Sequence, residues 1–206
     1  ADFGTVTQEF HIGMASMATP GMVRGGFRVH RDCCTMPMAR IMEPAMVMAR
    51  GGFTVNALQA YLFQAVGPIY MSVAASRAIY AGDADPNGLK AEGETITNPD
   101  LADTLDALAH GGEDVFYRGE IASMIANDCR DGGGLLSIAD FEDYGVHQRQ
   151  PLCTEYRGQR IYTNPPPSSG GMLIAFALEL LKDLDLKALG FGTLAYLERL
   201  IRVMEL

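Results

Sequence analysis

Residues 152–171, Leu-Cys-Thr-Glu-Tyr-Arg-Gly-Gln-Arg-Ile-Tyr-Thr-Asn-Pro-Pro-Pro-Ser-Ser-Gly-Gly, carry the clearest structural pattern in the chain. Here the sequence period is two on either side of Arg157-Gly158, which predicts a β-hairpin of residues 152–156 and 159–163 with a tight turn. The three prolines that follow exclude a central strand. We expect them to form a rigid connector to a helix that begins near Met172, with Ser168 or Ser169 as its N-cap.

Two further helices are predicted downstream of this connector. The first covers about residues 172–182, and we expect its core-facing side chains to be Leu173, Ile174, Ala177, Leu178 and Leu181. The second begins after Thr193, a residue type that favours the N-cap position. Its apolar positions are Leu194, Leu197, Leu200, Ile201 and Met204.

Upstream of the hairpin, apolar residues recur at helical spacing. A stripe rich in methionine and alanine runs from residue 38 to residue 49. Pro44 interrupts it, which predicts two short helices, the second beginning at Pro44 and ending at Gly51-Gly52. Helices are also predicted over residues 68–80 and 115–128.

Two capping signals place helix starts in the middle of the chain. Asn98 is predicted to cap a helix that begins at Pro99, carries Leu101, Leu105 and Leu108 on one face and stops at Gly111-Gly112. Ser137 and Asp140 form a pattern like a capping box ahead of a short helix. Because helices dominate and one hairpin is clear, the predicted class is α+β or a layered α/β arrangement.

Composition limits the functions that the chain can have. Its 206 residues are 48% apolar and 20% charged, so they can bury a sizeable core. The net charge of −9 makes nucleic acid a poor partner. No apolar run is long enough to span a bilayer. Ala1-Asp2-Phe3-Gly4 has no features of a signal peptide and no initiator Met, so we expect the sequence to start partway through a gene product.

No residue of the chain is predicted to bind a metal. The cysteines Cys33, Cys34, Cys129 and Cys153 match no zinc spacing, and the redox state of their compartment stays open. The four histidines are far apart along the chain. The loop of Asp83, Asp85 and Asn87 alternates like a calcium-binding loop but contains Pro86 and lacks the bidentate Glu, so a solvated turn is predicted.

Catalytic motifs are also missing. Gly132–Gly134 neither follows a strand nor opens a helix, so we expect it to end a helix rather than to hold phosphate. Ser168-Ser169-Gly170-Gly171 precedes a helix and could bind an anion there, but a structural loop is the favoured interpretation. No nucleophile elbow occurs. The residues by themselves therefore predict an acidic domain with no identifiable active site.

Several segments, taken together and in order, resemble the γ-glutamyltranspeptidase family. The most specific combination is Tyr156-Arg-Gly-Gln-Arg-Ile-Tyr followed by Pro165-Pro-Pro-Ser-Ser-Gly-Gly. The stretch Gly112-Glu-Asp-Val-Phe-Tyr-Arg-Gly-Glu-Ile-Ala and the Thr19-Pro20-Gly21 segment also match. Other matching stretches are residues 35–53, 98–105 and 133–141, so the resemblance covers nearly the whole chain.

This resemblance implies the N-terminal nucleophile hydrolase fold, an αββα sandwich, with the chain as its mostly helical large-subunit part. Family members are made as one precursor that cleaves itself before a Thr, which becomes the nucleophile and supplies its own amine as base. The expected reaction transfers the γ-glutamyl group of glutathione, or of a related amide, to water or to an amino acid or peptide. The resemblance also implies a periplasmic or extracellular location.

The functional residues of the family have no counterparts in residues 1–206. The processing Thr is expected beyond Leu206 and the substrate-binding Arg before Ala1, while Arg24 follows the Thr-Pro-Gly segment and does not match that Arg. We therefore expect residues 1–206 to be a partial large subunit with no catalytic, substrate-binding or metal residue, no cofactor, and a small subunit as partner. Two alternatives stay open: an acylase of the cephalosporin type that acts on other amides, and a catalytically inactive relative with a binding role.

Overall fold

A computed structural model describes residues 7–206, and the prediction for Ala1–Gly4 lies outside them. The chain divides into two compact units, one ending at Val146 and the other comprising His147–Leu206. Both contain helices and short antiparallel strands, so the predicted α+β class is confirmed. No helix within residues 7–206 is long and apolar enough to cross a membrane.

The described part of the first unit, residues 7–146, contains eight α-helices and one small β-ribbon. The helices are α1 (Met22–Cys33), α2 (Met38–Gly51), α3 (Ala57–Tyr70), α4 (Ala74–Tyr80), α5 (Pro99–Gly111), α6 (Asp114–Tyr117), α7 (Glu120–Asp131) and α8 (Ile138–Glu142). Strands β1 (Phe53–Thr54) and β2 (Thr95–Ile96) pair antiparallel. This ribbon was not predicted, because two-residue strands are too short to show a sequence period.

Helix α2 is continuous, so the prediction of two helices divided at Pro44 is wrong. Pro44 removes only the hydrogen bond that its amide would have donated to Arg40. Helix α2 packs along α5, and the Ala49 carbonyl beyond the proline accepts a hydrogen bond from the Asn98 amide at 2.8 Å. This packing offsets the missing backbone bond. Helix α1 also escaped prediction, since Gly25 and Gly26 lie within it.

The predicted helix over residues 68–80 is two elements in the structure. Helix α3 ends at Tyr70, and α4 begins at Ala74. The turn between them is closed by side chains: Ser72 Oγ donates to the Ile69 carbonyl at 2.7 Å, and the Arg77 guanidinium donates to the Met71 carbonyl at 2.6 Å. The spacing of apolar residues carries no information about these polar contacts, so the break between α3 and α4 was not predicted.

Helix α5 confirms the Asn98 cap, since Asn98 Oδ1 accepts a hydrogen bond from the Leu101 amide at 3.0 Å. Gly112 ends the helix with a positive φ of 77°. The predicted face is correct at Leu108, which is buried, and wrong at Leu101, which is 46% exposed, while Ala102 is buried. The face that contacts the protein therefore includes Ala102 rather than Leu101.

The predicted helix over residues 115–128 is also divided. Helix α6 ends at Tyr117 and α7 begins at Glu120, because Gly119 takes extended backbone angles and lies against the Val115 carbonyl. The predicted stop at Gly132–Gly134 is confirmed: the Gly134 amide donates to the Cys129 carbonyl at 2.7 Å, and Gly133 has a φ of 76°.

The capping box of α8 is confirmed. Asp140 Oδ2 accepts hydrogen bonds from Ser137 Oγ at 2.6 Å and from the Ser137 amide at 2.8 Å. These bonds favour the carboxylate, the hydroxyl bond more than the amide bond, and lower the pKa of Asp140.

The second unit consists of a hairpin and two helices. Strands β3 (Leu152–Tyr156) and β4 (Gln159–Thr163) pair antiparallel with the predicted bounds. Arg157 and Gly158 both have positive φ, at 51° and 76°, as the tight turn requires. Helix α9 (Ser169–Leu181) packs on this hairpin and α10 (Leu194–Met204) on α9. Thr193 Oγ1 caps α10 as predicted.

Helix α9 begins three residues before the predicted start. Ser168 occupies the N-cap position, but its side chain makes no capping hydrogen bond. The predicted core face is correct at Leu181, which is buried, and wrong at Leu173 and Ile174, which are 65% and 53% exposed. Gly171 is buried in their place, because α9 comes close to the end of β4 at that point.

Gly171 and Gly170 provide a matched test of this close approach. A Cβ at position 171 would overlap the Asn164 carbonyl oxygen and lie 2.7 Å from Thr163 Oγ1, whereas one at position 170 would meet nothing within 4 Å. We expect Gly171→Ala to lower the free energy of unfolding by about 1–3 kcal/mol through overpacking.

The control Gly170→Ala should raise it by about 0.5–1 kcal/mol, because alanine favours the helix. Urea unfolding followed by circular dichroism measures both changes. Equal effects of the two substitutions would contradict the close packing of α9 on the hairpin.

Candidate functional site

A fully buried tyrosine, Tyr117, lies at the centre of a polar cluster in the first unit. The Tyr117 hydroxyl donates a hydrogen bond to the Pro20 carbonyl at 2.5 Å and accepts one from the Arg24 amide at 3.1 Å. Tyr117 thus joins the end of α6 to the turn that precedes α1, more than ninety residues earlier.

Arg24 and Tyr144 complete this cluster. The Arg24 guanidinium lies 4.0 Å from the centre of the Tyr117 ring and donates to the Tyr144 carbonyl. The rings of Tyr117 and Tyr144 are stacked, 5.7 Å apart and 6° from parallel. A Cβ at Gly21 would overlap the Tyr144 hydroxyl, so only glycine fits this turn. The cluster therefore holds the Thr19-Pro20-Gly21 turn against α6 and the end of the unit.

Charge and burial at the cluster favour a neutral phenol. Burial raises the pKa of Tyr117, and this effect outweighs the hydrogen bond from the Arg24 amide, which lowers it. Nearby, Glu113 Oε1 accepts from Arg31 at 2.9 Å, while its other carboxylate oxygen is buried with no partner among residues 7–206. Since the Tyr117 hydroxyl already donates one hydrogen bond and accepts another, we assign it a positioning role in the cluster.

The concave surfaces of the first unit include an open cavity and an apolar groove. An open cavity of 810 Å³ separates α3 from the loop of residues 87–92, and its lining includes Tyr61, Gln64 and Lys90. The Lys90 ammonium already pairs with Asp83. A groove of 540 Å³ runs between α1, α2 and α5 and is lined almost wholly by apolar atoms.

The Asp83, Asp85 and Asn87 loop is a turn held by its own polar groups. Asp85 Oδ1 accepts from the Asn87 amide at 3.0 Å, and Asp83 pairs with Lys90. Glu94 accepts from the amides of Asp83 at 3.1 Å and Ala91 at 2.8 Å. These contacts use one oxygen of Asp83 and one of Asp85, and residues 83–87 are exposed, as expected of a solvated turn.

The proline connector is held to its own unit. The Arg149 guanidinium donates to the Pro166 carbonyl at 2.6 Å, and the Ser168 amide donates to the Pro165 carbonyl at 3.2 Å. The connector is therefore an ordered turn stabilised by main-chain bonds. Whether Ser168 or Ser169 contacts a ligand is not tested by these bonds, and a structural role stays our prediction.

Comparison with known proteins places these features in a family context. A family model described as gamma-glutamyltranspeptidase matches residues 2–206. The glutathione hydrolase proenzyme of Escherichia coli is 37% identical over 176 residues, which are 85% of this chain and 30% of that protein. The acylase ACY 1 proenzyme of a Pseudomonas strain is 30% identical over 92% of this chain and 33% of its own length.

A solved structure is also similar. The crystal structure of Helicobacter pylori gamma-glutamyltranspeptidase superposes with a TM-score of 0.86 at 27% identity, covering 93% of this chain and 54% of that one. The chain thus spans about a third of the curated relatives that it matches. Similarity extends over both units, so the predicted N-terminal nucleophile hydrolase fold class is supported along the chain.

The Tyr117 cluster leads to a test with a matched control. Tyr117→Phe leaves the Pro20 carbonyl and the Arg24 amide without their partner, and we expect it to lower the free energy of unfolding by about 1–3 kcal/mol. Tyr61→Phe removes a hydroxyl from a ring that is 58% exposed, so it should change stability by less than about 0.5 kcal/mol. Denaturant unfolding of both variants measures the difference.

The raised pKa of Tyr117 predicts a pH effect for the same variant. In the folded state the pKa of Tyr117 is raised above the ordinary value of 10.0. The neutral phenol therefore contributes stability that is complete below pH 10 and is lost as the pH rises through the folded pKa. Tyr117→Phe should therefore lose less stability above pH 10 than the parent protein. An unchanged alkaline slope would contradict the burial of this phenol.

Proposed function

Because the chain belongs to the gamma-glutamyltranspeptidase family, we propose that the protein of which it is a part hydrolyses glutathione or transfers its γ-glutamyl group. The observation that carries this proposal is the family match over residues 2–206 together with 37% identity to a glutathione hydrolase proenzyme. The hairpin and proline connector, the most specific motif of the sequence, lie within that match.

The proposed chemistry needs residues outside this chain. An N-terminal Thr, freed when the precursor cleaves itself, would attack the γ-glutamyl carbonyl while its own amine accepts the hydroxyl proton. The amide C–N bond would then break as the Thr amine passes the proton to the leaving amine. Water or an amino acid would finally take the γ-glutamyl group from the Thr ester and free the enzyme. The word proenzyme in the names of the relatives supports this order of events. Residues 7–206 would supply the scaffold that holds this chemistry in place.

An acylase is the second candidate. The similarity to acylase ACY 1 proenzyme favours it, at 30% identity over 92% of the chain. Both candidates share the nucleophile and differ in the acyl group that is cleaved. Comparing γ-glutamyl and glutaryl amides as substrates of the full protein distinguishes them, and faster cleavage of the glutaryl amide would favour the acylase. A protein inert toward both would favour the third possibility, an inactive relative.

A small subunit is the proposed partner, and the second unit has apolar surface for it. Helix α9 exposes Met172, Leu173, Ile174 and Phe176, and α10 exposes Leu194, Leu197, Ile201 and Met204. Large apolar side chains clustered on exposed helices are typical of faces that another polypeptide covers. We propose that these faces pack against the small subunit made from the same precursor.

Residues 1–206 alone are expected to be inactive toward γ-glutamyl-p-nitroanilide, because the proposed nucleophile lies outside them and catalytic residues act as a unit. The full protein should release p-nitroaniline, measured by absorbance. Release above background by the 206-residue chain would show that it holds its own nucleophile.

The proposed interface is tested in the full protein. Mass spectrometry of the purified native protein should show a second, C-terminal chain. Leu173→Asp places a charge on a side chain that is 65% exposed in this unit, and we expect it to reduce copurification of that chain. Leu135→Asp, at an 87% exposed residue after α7, is the control and should leave copurification unchanged. Purified full protein without a second chain, or equal effects of the two substitutions, would contradict the interface.

A further inference from the structure

The groove on the first unit has exposed apolar walls. It runs between α1, α2 and α5 with a volume of 540 Å³, and the described residues that line it include no Asp, Glu, Lys or Arg. The ring of His30 is the most polar group along it, and its Nε2 donates a hydrogen bond to the Met36 carbonyl at 2.8 Å. A charged ligand would find no partner of opposite charge in this groove, so an apolar occupant fits it.

The wall that α1 contributes has the shape of a helix-packing surface. Met22, Gly26 and Val29 recur at i, i+4 and i+7, so they share one face of the helix, and Gly25 lines the same groove. Met22 and Val29 are 88% and 59% exposed. Glycine weakens the middle of a helix relative to alanine, yet a Cβ at Gly25 or Gly26 would meet nothing within 4 Å among the described residues. Packing within residues 7–206 gives no reason for the two glycines, whereas a second backbone that approaches α1 closely would need the space.

The space above these glycines suits a helix. Ile41 of α2, on the other wall, is 43% exposed. An amphipathic helix laid between the walls would bury both Val29 and Ile41, and its side chains would fill the space that the glycines leave. A loop or a single strand would instead bring unpaired backbone groups into an apolar groove, which is costly. The groove is therefore a site for an additional helix.

The order of elements along the chain indicates where this helix comes from. Between residue 7 and the start of α1, the structure describes one short 3₁₀ helix, Met14–Ser16, and no α-helix. Consecutive elements of a chain usually lie side by side, so the upstream helical neighbour of α1 would precede residue 7. The hydrogen bond from Tyr117 to the Pro20 carbonyl holds the chain just before α1, so polypeptide arriving from upstream reaches the unit beside the groove.

We propose that a helix of the large subunit, encoded before Ala1, packs its apolar face into the groove between α1, α2 and α5. On the proposed function, residues 1–206 are part of a longer precursor, and this helix depends on that proposal. The relatives have polypeptide available for this role, since the match covers 30% of the Escherichia coli proenzyme and 54% of the solved Helicobacter pylori chain. The helix would bury the exposed apolar side chains of α1 and complete the packing around it.

The test is photocrosslinking in the full protein. Val29 is replaced by the photoreactive p-benzoylphenylalanine, the purified protein is irradiated, and crosslinked peptides are identified by mass spectrometry. We expect crosslinks to a peptide encoded before Ala1, because Val29 lines the groove. The same replacement at Met124, which is 63% exposed on α7 and outside the groove, is the control and should give no crosslink to that peptide.

A second pair of variants needs no bulky label. A Cβ at Gly26, or at Gly51 at the end of α2 and outside the groove, would meet nothing within 4 Å in residues 7–206. With the helix packed on α1, Gly26→Ala should lower the Tm of the full protein by about 2–4 °C through overpacking, whereas Gly51→Ala should not lower it. Differential scanning calorimetry measures both shifts. A rise in Tm for Gly26→Ala, or equal shifts for the two variants, would contradict the close approach of another backbone to α1.

The crosslinks also separate the other possible occupants. Crosslinks from Val29 that reach only residues 7–206, only the small subunit or only a second copy of the chain would overturn the upstream helix. Activity toward γ-glutamyl amides is measured separately on the unlabelled protein. Crosslinking to the upstream peptide in an inactive protein would overturn the proposed reaction alone, and activity without that crosslink would overturn the helix alone.

Discussion

The first unit depends on one buried hydroxyl that joins distant parts of the chain. Tyr117 donates to the Pro20 carbonyl and accepts from the Arg24 amide, so the turn before α1 is held against α6. Both partners are main-chain groups of half-buried residues, and leaving such groups without a hydrogen bond is costly. The Arg24 guanidinium and the Tyr144 ring also contact the Tyr117 ring. The path of the chain into α1 follows from this arrangement.

In the second unit the corresponding constraint is the close approach of two backbone segments. The hairpin of β3 and β4 has a turn with two positive φ angles, and α9 comes against the end of β4 at Gly171. The proline connector joins the hairpin to α9, and the Arg149 guanidinium donates a hydrogen bond to its Pro166 carbonyl. In both units, therefore, a residue without a side chain lies where two segments meet: Gly21 beside Tyr144 and Gly171 beside Asn164.

These constraints fit a chain that serves as scaffold in the proposed enzyme. The Tyr117 hydroxyl and one carboxylate oxygen of Asp83 are used in contacts within the fold. The apolar faces of α9 and α10 face outward. In the proposed enzyme, catalysis would come from residues contributed by the rest of the precursor, and the described residues would hold them in position.

The sequence by itself determined the elements that depend on local chemistry. Arg157-Gly158 set the hairpin turn, Asn98 and Ser137 began their helices, and Gly133 ended α7, because each acts on backbone groups within a few residues. The family was also visible in the order of these motifs, and the absence of a site in the chain was a prediction from the same resemblance. Tertiary structure alone decided that α2 continues through Pro44, that Leu173 faces outward, and that Tyr117 meets Pro20. These outcomes depend on packing and hydrogen bonds between residues far apart in the chain, and periodicity carries no information about such partners.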